Sequence, residues 1–112
     1  MSDKKPIDRD RAEAAVNFMA HTDAQLAELR TDARRSELRV KKTKAAIFLT
    51  ASGNIEERKA TSETDNETKL AETDWLAAEQ KYEELKNRRD SAELVFEMWR
   101  SLNSARTKGI VV

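Results

Sequence analysis

Over the last third of this chain, Ala71, Trp75, Ala78, Tyr82, Leu85, Arg89, Ala92, Phe96 and Trp99 alternate at steps of four and three residues. A seam of that period belongs to a long helix laid against another helix. Almost nothing in the chain opposes such helices, since its 112 residues include only two glycines and one proline. The main interruption is Ser52-Gly53-Asn54. Gly53 suits the left-handed position just past a helix end. Asn54 with Glu57 three residues on suits the start of the next helix, and Glu56 and Glu57 fall in its first turn, where the helix dipole favours them. The spacing therefore predicts an all-α chain built as a long antiparallel helical hairpin.

Ahead of the turn, residues 1–7 read as a disordered lead-in containing Pro6. Ala12, Ala15, Val16 and Met19 then recur at helical spacing, which predicts a short N-terminal helix over Asp8–Ala20. His21-Thr22 breaks the pattern, and Thr22 with Gln25 forms a capping box that restarts a helix at Asp23, with at least a kink between the two. The second stretch runs to about Ala51 and carries Leu26, Leu29, Ala33, Val40 and Ile47 on one side. The returning helix runs from Ile55 to about Ala105, roughly 75 Å at the usual helical rise. Thr61 to Asn66 is a soft spot of poor helix formers, where Thr64 or Asp65 is placed to cap a fresh start. Gly109 ends the helical part, and residues 110–112 are a short apolar tail. Residues 8–109 thus read as one helical-hairpin domain. Its apolar content is thin for a private core, and Val95, Met98 and Leu102 widen the apolar face near the end. A homo-oligomer held through Tyr82, Leu85, Phe96, Trp99 and Leu102 is the expectation.

Cysteine is absent, so there is no disulfide and no thiolate metal site. The first residues, MSDKKPIDRDR, contain no apolar run of the signal-peptide kind, and no stretch has the length of apolar residues that spans a bilayer. A cytoplasmic protein is expected. His21 is the single histidine, and no phosphate-binding glycine loop or nucleophile elbow occurs. The carboxylates lie on helix faces beside Lys and Arg. The chain is not expected to be an enzyme, nor to need a cofactor or a metal.

Formal net charge is zero, but the charge is banded. Residues 30–44 hold Arg30, Arg34, Arg35, Arg39, Lys41, Lys42 and Lys44 against only Asp32 and Glu37, whereas residues 56–84 are mostly acidic. On a helical wheel Arg30, Arg34, Lys41 and Lys44 flank the apolar seam, and Arg35, Arg39 and Lys42 lie on the side away from it. Two basic rows along one helix can track a phosphate backbone and release its counterions. They can equally be a solvated face with local partners, through Asp32–Ser36 and Glu37–Lys41. Trp75, Tyr82, Phe96 and Trp99 read as core and seam, which leaves Phe48 as the aromatic nearest the basic run.

The layout RRSELRVKKTKAAIFLTASG, then IEERKATSETD, then YEELKNRRDSAELVFEMWRSLNSARTKG resembles the UvsY-type recombination mediators of tailed phages. The resemblance covers about residues 15–109, and Lys44-Ala45 match its Lys-Ala, with Ala46 where the family has Arg. It implies a small, ring-forming homo-oligomer in the host-cell cytoplasm. Such a protein binds single-stranded DNA and loads a RecA-like recombinase in place of a single-strand-binding protein. Two other readings stand beside it: a coiled-coil structural or assembly adaptor with no nucleic-acid role, and an inhibitor of a host nuclease or other regulator.

Overall fold

The computed structural model describes residues 7–109; residues 1–6 of the lead-in over 1–7, and the tail over 110–112, lie outside them. Among the described residues there are three helices and no strand: α1 (Arg9–Thr50), α2 (Ile55–Thr64) and α3 (Asn66–Thr107). No described helix is long and apolar enough to cross a membrane.

Asp8 opens α1, its carboxylate accepting from the Arg11 N–H at 2.9 Å. The helix then continues without interruption to Thr50. The short separate helix and the restart at Asp23 are therefore incorrect. Inside a helix a threonine can turn its hydroxyl back onto the carbonyl four residues earlier. Thr22 does so to Phe18 O at 2.7 Å, and His21 Nδ1 donates to Asn17 O at 2.6 Å. Neither side chain is left to cap a new start.

The turn after α1 follows the sequence closely. Gly53 has φ +104°, and Asn54 Oδ1 accepts from the Glu57 N–H at 2.9 Å. Arg58 closes it, donating from Nε to Ala51 O at 2.9 Å with its guanidinium 5.5 Å from the centre of the Phe48 ring. A Cβ at Gly53 would sit 2.8 Å from Glu57 Oε2 and 3.0 Å from Glu57 Cβ. Gly53→Val is therefore expected to lower stability by about 1–2 kcal/mol or more, from the positive φ and this crowding together. A denaturation midpoint unchanged from wild type would contradict that account of the turn.

The soft spot is a real break. Asp65 has extended backbone (φ −64°, ψ 143°) and separates α2 from α3, its carboxylate accepting from the Glu67 N–H at 2.8 Å. Ser62 O faces this break, and Thr68, fully buried, donates its hydroxyl to it at 2.6 Å. A buried carbonyl near a helix end needs such a partner.

By packing, the chain forms two compact units: one holds the segment ending at Gln25 and the segment beginning at Leu85, the other Leu26–Glu84. Within each, α1 and α3 lie side by side. In the first unit Ala12, Ala15 and Leu85 are buried, and Met19, Thr22, Ala92, Phe96 and Trp99 are half-buried. In the second, Ala33, Val40, Thr68 and Ala71 are buried, and Leu26, Leu29, Ser36, Trp75, Ala78 and Tyr82 are half-buried. These positions carry the alternating steps of three and four on both helices. The buried ones are mostly small, which lets helix backbones approach closely; Val40 and Leu85 are the larger exceptions.

Candidate nucleic-acid interface

The basic stretch lies wholly in α1 and within the second unit. Its seven cations are not equivalent. The Arg30 guanidinium lies 5.7 Å from the centre of the Tyr82 ring, held by the ring's negative face. Arg35 pairs with Asp32 at 3.3 Å, one turn away on the same helix. The remaining five, Arg34, Arg39, Lys41, Lys42 and Lys44, form no ion pair or hydrogen bond with any described residue. Lys44 is half-buried and the other four are exposed. The Glu37–Lys41 pairing that would mark a merely solvated face does not form.

This arrangement opposes folding slightly. Arg30 and Arg34, and Arg35 and Arg39, are like charges one helical turn apart; Arg39 and Lys42, and Lys41 and Lys44, are three residues apart. Each such pair costs about 0.2–0.5 kcal/mol. A bound polyanion would reverse the sign of these terms, because the same charges would then face phosphates.

One row is shaped as well as charged. Arg35, Leu38, Arg39, Lys42 and Ala46 recur at helical spacing and line a groove of about 410 Å³, with Glu67 of α3 on its other side. The sequence places Arg35, Arg39 and Lys42 away from the seam; the structure puts them on the rim of this groove between α1 and α3. Leu38 and Glu67 were not picked out by sequence reasoning. The spacing 35-38-39-42 was the available signal for Leu38. Nothing in the sequence brings Glu67 there without knowing how the two helices are aligned.

The aromatic residues offer no open stacking platform beside the basic row. Phe48 lies against Arg58 and Tyr82 against Arg30. Trp75 is half-buried with its indole N–H unpartnered. Of the residues expected to join separate chains, Leu85 is buried within its own chain, and Tyr82, Phe96, Trp99 and Leu102 are half-buried. Phe96 and Trp99 have ring centres 6.4 Å apart and, with Val16 of α1, line a groove of about 320 Å³. Among the described residues no group of three or more His, Asp or Glu is placed to hold a metal ion.

No family model, curated protein or solved structure matches this chain.

Proposed function

We propose that this chain is a single-stranded-DNA-binding protein of the recombination-mediator kind, acting as a homo-oligomer of long helical hairpins. The observation that carries the DNA-binding part is the set of five cations on consecutive turns of α1 that no carboxylate of the described chain neutralises. A free cationic row of this kind suits a linear polyanion. Repeating it around an assembly would add weak contacts into useful avidity. The mediator role, with a RecA-like recombinase and a single-strand-binding protein as partners, rests on the likeness of layout to UvsY-type proteins.

The adaptor reading draws on a different feature. Leu70, Leu76 and Leu94 are 62–66% exposed on α3, and Met98 is 47% exposed. Apolar side chains left in water favour contact with other chains. This supports assembly under either reading and does not account for the basic row. A gel-shift with single- and double-stranded oligonucleotides, beside a solution mass measurement, separates them. The proposal expects a multimer that shifts the single strand at low salt. A multimer that shifts neither probe would leave only the adaptor reading, and a monomer at micromolar concentration would remove the oligomeric part of the proposal.

A further inference from the structure

Two of the free cations of α1, Arg39 and Lys42, line the groove together with Arg35, which is paired with Asp32; Arg34 and Lys41 do not line it. Arg35, Arg39 and Lys42 succeed one another along one rim at steps of four and three residues, so about 6 and 4.5 Å apart along the helix axis. A straight row of cations matches a chain of phosphates; a compact anion would be held by cations that converge. Leu38 stands within the row, 53% exposed, and Ala46 continues the apolar line beyond Lys42. Across the groove Glu67 is exposed and forms no ion pair with a described residue. Its charge repels phosphate from the α3 side.

We infer that this groove is the strand seat: phosphates of a single strand follow the Arg35–Arg39–Lys42 rim, and its sugar and base faces lie on Leu38 and Ala46. The inference rests on the reading of the basic stretch as a nucleic-acid site and names the part of it that makes contact. A single strand exposes the apolar faces of its bases and sugars, whereas a duplex keeps its bases stacked inside and presents mainly phosphate. The apolar line therefore confers the preference for single strands. Glu67 fixes which side of the strand turns outward. The opposite row, Arg34 and Lys41, contributes only its field.

The test is fluorescence anisotropy with a labelled oligothymidylate and with a duplex of equal length, on the full chain. Every replaced side chain is exposed, so all variants should keep the wild-type far-UV circular dichroism. Arg39→Ala with Lys42→Ala should weaken single-strand binding about tenfold or more, and Arg34→Ala with Lys41→Ala less than about threefold. Leu38→Ser should weaken single-strand binding about fivefold and leave the duplex unchanged. Glu67→Gln should tighten binding about two- to threefold by removing a repulsive charge. Equal losses from the two cation pairs, or a Leu38→Ser effect shared by the duplex, would overturn the groove assignment while the wider nucleic-acid reading stands. No binding by the wild-type chain at low salt would remove both.

Discussion

Replacing Arg34, Arg39, Lys41, Lys42 and Lys44 together by alanine is expected to abolish single-strand binding, with a loss of at least about a hundredfold at low salt. The same variant should unfold at an equal or higher denaturant concentration than wild type. Alanine is the best helix former, and the substitution removes several like-charge pairs that each cost about 0.2–0.5 kcal/mol. Binding and stability thus move in opposite directions, the signature of charges kept for a partner and not for the fold. Replacing Lys69 and Lys81, which lie among the carboxylates of α3, should change binding little. A variant without these five cations that binds as wild type does would sink the assignment of the site to the free cations of α1. One that unfolds more readily than wild type would show these side chains to be structural.

The second large effect concerns Arg89, a charged residue at a seam position. Its side chain is only 17% exposed. It donates from Nη1 to Met19 O at 2.5 Å and to Thr22 Oγ1 at 2.8 Å, and from Nη2 to Asp23 Oδ1 at 3.3 Å. Asp23 is 79% exposed, so the ion pair itself contributes little. The weight falls on the two shorter bonds and on the burial of the aliphatic stem in the seam. Arg89→Ala is expected to destabilise by about 2 kcal/mol, through hydrogen bonds to a charged donor and the space left behind. Arg89→Met, which refills the seam without the charge, should recover most of that loss. Asp23→Asn should cost no more than about 0.5 kcal/mol. Urea titrations followed by circular dichroism decide this. Equal losses from Arg89→Ala and Asp23→Asn would mean that the ion pair, and not the carbonyl and hydroxyl contacts, holds the helices here.

The sequence made the helix–helix seam legible because its period survives tertiary packing: Ala71, Trp75, Tyr82, Leu85, Phe96 and Trp99 all turn inward at least in part. The turn was legible because Gly53 and Asn54 each do what their chemistry favours most. So was the break at Asp65, where Thr61, Ser62 and Thr64 weaken the helix before an acidic cap. The false break at Thr22 has the opposite cause. The same hydroxyl can cap a helix or bond back within one, and only the partner helix, which brings Arg89 against Thr22, shows which use prevails. For the candidate site, the cations were plain in the sequence, but their freedom from partners was not. Glu37 sits four residues before Lys41, the favourable order for pairing, and still no pair forms. Nor could the strand-facing row be chosen before the alignment of α1 and α3 placed Glu67 on the same groove as Arg39 and Lys42.

The central claim is that free cations on α1 hold a single nucleic-acid strand, and the salt dependence of wild-type affinity tests it most directly. Each phosphate neutralised on a single strand contributes about −0.7 to the slope of log K against log salt, so three contacts along the groove give a slope of about −2 for each chain engaged. Affinity for a labelled oligothymidylate should fall along such a line or a steeper one as salt is raised. Binding that does not change with salt, or no binding at the lowest salt by a correctly assembled protein, would contradict it.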